Sequence, residues 1–158
     1  GGIGSACAEL FASLGADLIL FGRDSKKLKA LEKSITVLQS KAKAKGTVQS
    51  AAFDITNEKA LAAAFKSVTT LDVAVNNAGF EGALGEIGQV TLEDFDQCMN
   101  INVRAVFSCM QKEVGFFRKK KKPGRIINIS SIAGLIALPT SSLYVAAKHA
   151  VNGLTKTV

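Results

Sequence analysis

The sequence predicts an α/β protein built on an open, doubly wound parallel sheet with helices on both faces. Three observations carry this reading. Short apolar or β-branched runs at 17–22, 48–54, 71–76 and 125–131 read as strands buried on both faces. Between them lie segments with apolar residues at helical spacing, long enough for crossover connections. A glycine cluster opens the first helix, and polar residues stand at the carboxyl ends of strands, where open α/β sheets place ligands. With 158 residues and a 47% hydrophobic composition, one domain covering 1–158 is expected.

Taken in order, Gly1-Gly2-Ile3-Gly4 runs into a helix with Ala6, Leu10, Phe11 and Leu14 at helical spacing, ending at Gly15. Glycines at a helix start let a backbone approach a phosphate. The strand 17–22 is followed by Arg23 and Asp24, and Asp24 can cap a long helix from Ser25 to Lys45 with Leu28, Leu31 and Ile35 inward. The strand 48–54 ends at Asp54. Thr56 can cap a helix from Asn57 to Val68 whose apolar face is Leu61, Ala64 and Phe65. The strand 71–76 runs into Asn76-Asn77-Ala78-Gly79, where asparagines can both donate and accept and so tie neighbouring strands together.

A glycine-rich loop, Phe80 to Val90, precedes Thr91 and Asp94, which resemble a capping box with Asp in place of Glu. One long helix is expected from Leu92 to Arg118. Pro123-Gly124 marks a turn, and the strand from Arg125 places Ser131 at its carboxyl end. Ser141 or Ser142 can cap a final helix that runs toward Val158.

That last helix carries the sharpest chemical signal. Tyr144 and Lys148 are four apart and share one helix face, and Tyr144 is the only tyrosine. A free tyrosine has a pKa of about 10, and an ammonium one turn away favours its phenolate. With a serine hydroxyl to hold the oxygen, the pair can exchange a proton with a carbonyl or alcohol group. His149, the only histidine, reads as structural or surface.

The net charge of +7 comes largely from Lys41, Lys43 and Lys45 and from the run Arg118 to Lys122. These read as solvated helix ends and loops. Nucleic-acid binding is not expected, because no aromatic platform interleaves the basic residues. No apolar run reaches the roughly 18 residues of a membrane span. Cys7, Cys98 and Cys109, odd in number and widely spaced, read as reduced thiols of a cytoplasmic protein, with no metal site.

Asn128-Ile129-Ser130-Ser131-x-x-Gly134, Tyr144-x-x-x-Lys148 and Asn76-Asn77-Ala78-Gly79 together resemble the short-chain dehydrogenase/reductase family. The resemblance implies a Rossmann-like fold and a nicotinamide cofactor. It implies hydride transfer between a small-molecule carbonyl and alcohol, with acyl thioesters, steroids, sugars and small alcohols as options. Tyr144 is then the general acid/base, Lys148 its partner and a ribose contact, Ser131 the substrate-orienting hydroxyl, and Asn102 the member of a proton relay at a helix kink. Gly2, Ile3 and Gly4 resemble the end of the family's pyrophosphate-binding glycine motif. Asn77, Ala78 and Gly79 flank the nicotinamide, and Asp54 and Ile55 meet the adenine; capping of the next turn is the other reading of Asp54.

In dinucleotide folds an acidic residue after the second strand binds a ribose hydroxyl, whereas an arginine accommodates a 2′-phosphate. Gly22 then Arg23 here favours NADP, with NAD possible. Family members form homodimers or homotetramers through the two long helices. The missing first strand and the missing segments after Val158 lead us to expect an internal fragment, with sheet edges and apolar faces exposed. A non-catalytic, truncated binding or scaffold protein is the competing reading.

Overall fold

A computed structural model describes residues 1–158. The chain forms two compact units, residues 1–60 and 61–158. The α/β class and the parallel pairing follow the sequence reading. The four strands form two parallel pairs, one in each unit, rather than one continuous ladder.

In the first unit, α1 (Gly2–Ser13) leads to β1 (Leu18–Gly22), α2 (Ser25–Ala42) and β2 (Val48–Ala52). β1 and β2 pair in parallel from Leu18 opposite Val48 to Gly22 opposite Ala52. α1 stops where Gly15 adopts φ +83° and the Ala16 amide turns back to the Phe11 carbonyl at 3.1 Å. That left-handed turn is open to glycine at no steric cost. Asp24 caps α2 by accepting from the Lys26 and Lys27 amides at 2.9 and 3.0 Å. Ala8, Ala12 and Ile35 pack on Leu18, Leu20 and Val48, so both helices cover the same face of the pair. The other face leaves Ile19 41% exposed.

α3 (Glu58–Lys66) crosses from the first unit into the second, which continues with β3 (Val73–Asn76) and α4 (Leu92–Met99). Then come a π-helical turn (Asn100–Arg104), α5 (Ala105–Lys120), β4 (Arg125–Asn128), a 3-10 turn (Ile132–Gly134) and α6 (Ser142–Thr155). β3 and β4 pair in parallel from Val73 opposite Arg125 to Asn76 opposite Asn128. Ala74 faces inward, while Val73 and Ile127 on the opposite face are 40% and 42% exposed. A second core of Cys98, Leu143 and Ala147 joins α4 to α6. No helix is long and apolar enough to cross a membrane.

Four local expectations are revised. Thr56 does not cap α3; the Asn57 side chain accepts from the Ala60 amide, and Thr56 is held by Asp54 instead. Neither serine caps α6 through its side chain: Ser141 takes the N-cap place without such a bond, and the Ser142 hydroxyl is buried without a partner. The helix expected over 92–118 is interrupted by five π-helical residues. β2 and β4 end sooner than the apolar runs 48–54 and 125–131, at Ala52 and Asn128, because ladder pairing stops there, while β1 and β3 end at Gly22 and Asn76 as read. The Thr91–Asp94 capping box forms as read, with both reciprocal bonds present.

Candidate active site

The site in residues 61–158 is built on the ends of β3 and β4 and on two helices. Lys148 is only 4% exposed although it is a lysine on a surface-length helix. Its ammonium donates to the Ile129 carbonyl at 2.9 Å and lies 5.4 Å from the centroid of the Tyr144 ring. The Tyr-x-x-x-Lys spacing thus puts the cation beside the phenol, as the shared helix face requires. Burial pushes the Lys148 amine below its ordinary pKa, since desolvation disfavours the ammonium. Ser131 is half-buried, and its hydroxyl oxygen accepts from the Ala133 amide at 3.2 Å, which leaves its own O–H free to donate.

Asn102 is fully buried at the centre of the π-helical turn. There the Ala105 amide reaches back five residues to the Asn100 carbonyl. The Asn102 side chain holds the backbone of Phe80 at two points: its oxygen accepts from the Phe80 amide at 3.0 Å and its amide donates to the Phe80 carbonyl at 2.7 Å. The same amide group donates to the Cys98 carbonyl at 2.9 Å. The helix is interrupted by a π-helical turn at Asn102, and its side chain pins the loop that leaves β3. Gly79 lies where that loop passes the helices: a Cβ there would stand 3.3 Å from the Asn102 oxygen and 3.7 Å from the Lys148 ammonium. Asn102, Gly79, Lys148, Tyr144 and the Ile129 carbonyl are thus brought together. Asn77 and Ala78 precede Gly79 on the same loop.

Sequence reading missed three supports of this site. Gly134 is a glycine because a Cβ would stand 2.6 Å from the Asn152 amide, 2.7 Å from the Ser130 hydroxyl and 2.9 Å from the Lys148 carbonyl. Cys98 sits under Asn102, its thiol raised in pKa chiefly by burial. Glu113 is buried against Asn76 at 3.1 Å, and burial pushes its carboxyl up to about 7. The signal for Glu113 was its place among Ala105, Val106, Cys109 and Met110, a carboxylate on an apolar helix stripe. His149 is exposed and its Nδ1 lies 2.9 Å from the Val145 carbonyl, a local helix contact. It also lines a cleft of about 580 Å³ with Glu86, Leu138 and Ser142.

In residues 1–60, the start of α1 has no side-chain cap, so the amides near Gly2, Ile3 and Gly4 are open to an anion. The carboxyl ends of β1 and β2 lie side by side, with the Phe53 amide donating to the Gly22 carbonyl at 2.8 Å. This brings exposed Arg23 near Asp54. The Asp54 carboxyl is held below its ordinary pKa by the Thr56 amide and hydroxyl, with a smaller pull from Arg23. Asp54 thus shapes its own turn with one oxygen, and Ile55 follows half-buried. These features fit the phosphate and adenosine portion of a dinucleotide.

Comparison with known proteins agrees. The family model described as short chain dehydrogenase matches residues 1–158. The 3beta-hydroxysteroid dehydrogenase of Mediterraneibacter gnavus is 35% identical, the match covering 99% of this chain and 55% of that protein. The 3-oxoacyl-[acyl-carrier-protein] reductase FabG of Rickettsia typhi is 33% identical over 100% of this chain and 61% of its own length. The chain thus spans little more than half the length of these curated relatives. Among solved structures, a metagenomic short-chain oxidoreductase in complex with NADP matches with TM-score 0.87 and 32% identity, covering 98% of this chain and 69% of that one. An NAD+-bound xylitol dehydrogenase matches with TM-score 0.88 and 27% identity, covering 99% and 59%. Motifs, strand-end geometry and the family match over residues 1–158 all lead to one statement: this chain belongs to the short-chain dehydrogenase family.

Proposed function

We propose that the protein carrying this chain interconverts a carbonyl and an alcohol on a small molecule, with NADP as preferred cofactor and Tyr144 as general acid/base. The observation that carries this reading is the buried Lys148 ammonium held 5.4 Å from the Tyr144 ring centroid and anchored on the Ile129 carbonyl.

In the reducing direction Tyr144 donates its phenolic proton to the substrate oxygen as negative charge develops there. The Lys148 ammonium stabilises the charge left on the phenol oxygen. One of its three N–H groups is committed to Ile129, so the others remain for the phenol and a ribose hydroxyl. Ser131 donates its free O–H to the same substrate oxygen and orients it. Asn102, at the helix kink, belongs to the path by which Tyr144 is reprotonated. When bound, the cofactor supplies or accepts the hydride. The amides near Gly2, Ile3 and Gly4 would hold its pyrophosphate, Arg23 a 2′-phosphate, and Asp54 and Ile55 the adenine. Asn77, Ala78, Gly79, Tyr144 and Lys148 would hold the nicotinamide riboside.

The preference for NADP rests on Arg23, because Asp24 is occupied as the cap of α2. Assembly as a homodimer or homotetramer through α4–α5 and α6, in a cytoplasmic setting, belongs to the same reading. The test is turnover of the full-length protein and of its Tyr144→Phe variant, with cofactor affinity measured by NADPH fluorescence. Turnover should vanish in Tyr144→Phe while NADPH affinity stays within about threefold; substantial residual turnover would remove Tyr144 from the acid/base role.

A further inference from the structure

Glu113 is the only acidic residue of the chain that is buried, at 3% exposure. It is not paired with a cation; its partner is the Asn76 side-chain amide at 3.1 Å. That amide has two hydrogens, and the second goes to the Asn128 side-chain oxygen at 2.9 Å. Asn128 in turn donates to the Thr155 hydroxyl at 2.9 Å, and Thr155 donates to the Val151 carbonyl at 2.7 Å. One carboxyl therefore begins a bridge that joins α5 to the last residue of β3, the last residue of β4 and the end of α6.

The bridge stands at the point where both strands hand over to the site. The Asn76 carbonyl accepts from the Ile129 amide at 2.9 Å, and the Ile129 carbonyl accepts from the Lys148 ammonium at 2.9 Å. A displacement of Asn76 moves the Ile129 peptide, and with it the anchor of Lys148. Gly79 lies three residues beyond Asn76 and Ser131 three beyond Asn128. Burying a lone carboxyl is costly, and an apolar side chain on that helix stripe would avoid the cost. What the carboxyl supplies in exchange is a fixed acceptor that orients the Asn76 amide toward Asn128.

We propose that Glu113 is a positioning residue: through Asn76 and Asn128 it fixes the strand ends that carry the Lys148 anchor, Gly79 and Ser131. This rests on the function proposed above for its consequence in catalysis, but its structural half stands alone. The test uses Glu113→Gln, which keeps an acceptor oxygen, and Glu113→Leu, which removes it. Two quantities are read: hydrogen exchange at the Ile129 amide, and kcat and KM of the full-length enzyme.

In Glu113→Leu, Ile129 exchange should rise at least tenfold and kcat should fall at least tenfold with KM within about threefold. In Glu113→Gln Ile129 exchange should not rise, and kcat should stay within about threefold of wild type. A folded Glu113→Leu protein with unchanged exchange and kcat would overturn the proposal, as would a Glu113→Gln protein as impaired as Glu113→Leu. Should Glu113→Leu fail to fold, Asn128→Ala removes the acceptor for Asn76. It should reproduce the leucine pattern, and unchanged exchange there overturns the proposal. A wild-type enzyme without turnover would sink the proposed function, while Ile129 exchange would still decide the role of Glu113.

Discussion

Replacing Glu113 by Gln should change how stability depends on pH, in a direction the structure dictates. The carboxyl is raised from 4.5 to about 7, first by burial, against which the Asn76 bond acts weakly. A group whose folded pKa lies above its unfolded value contributes stability that is fully present below the unfolded pKa. That contribution is lost as pH rises through the folded value. The window is therefore about pH 4.5 to 7. At about 1.4 kcal/mol per pH unit, the loss across it is about 3 kcal/mol. Glutamine cannot ionise, so the stability difference between Glu113→Gln and wild type should grow by about 3 kcal/mol in favour of the variant over that window.

For a domain of this size that is roughly 6 to 12 °C in Tm. Groups facing Glu113 do not blur the result. Cys109, one turn earlier, is itself pushed up to about 12, while β3 and β4 present Asn76 and Asn128 and α6 presents Thr155. Asp17, Asp54 and Asp94 have lowered pKa values, so they act at lower pH and equally in both proteins. The assay is urea unfolding of both proteins at half-unit steps from pH 4 to 8.5. A difference that stays constant across the window would refute the reasoning.

Other substitutions test the site's supports. Asn102→Ala leaves the Phe80 amide and carbonyl and the Cys98 carbonyl without their partner; it should cost about 2–4 kcal/mol by chemical denaturation, where less than about 1 kcal/mol would show that the pin is dispensable. Gly134→Ala forces a methyl against the Lys148 carbonyl and should cost about 1–3 kcal/mol, with a fall in turnover; a fully stable, active variant would contradict the crowding. Thr91→Ala removes the hydroxyl that accepts from the Asp94 amide, leaving the Asp94 carboxylate on the backbone amide of residue 91, and should cost about 1 kcal/mol, read as a shift in urea midpoint. Arg23→Ala should weaken NADPH more than NADH, by about tenfold or more in fluorescence titrations; equal loss for both would shift the cofactor choice to another residue.

The strands and the approach of Lys148 to Tyr144 were legible because their signals are local. β-branched runs mark buried strands, and Tyr144 with Lys148 needs only one helix turn to meet. Asn76 ties β3 to β4 as read, because a side-chain amide at a strand end can reach the neighbouring strand, here the Asn128 oxygen. What stayed hidden depends on competition between near-equal neighbours. Thr56 and Asn57 both can cap, and Asp54 decided between them by taking the threonine. Ser141 precedes α6 and Ser142 opens it, yet the backbone enters the helix with neither hydroxyl turned to its amides. Glu113 stands on an apolar stripe that the sequence shows, but nothing in a linear chain says that this stripe faces Asn76. The crowding at Gly134 involves Asn152 and Lys148, distant positions that only the folded chain brings within reach.

The π-helical turn has a further consequence, as a phase shifter. An α-helix advances 100° per residue, so absorbing one extra residue in a wide turn resets the angular position of everything after it. α4 turns Cys98 inward toward α6, whereas α5 turns Cys109, Met110 and Glu113 inward toward the strands. A single regular helix through Asn100–Arg104 would carry one of these faces about 100° out of place. The same rod can thus serve two differently oriented surfaces because one turn is loose. Its sequence can drift on either side, but the residue count between Cys98 and Glu113 cannot change by one without uncoupling the Phe80 pin from the Asn76 bridge.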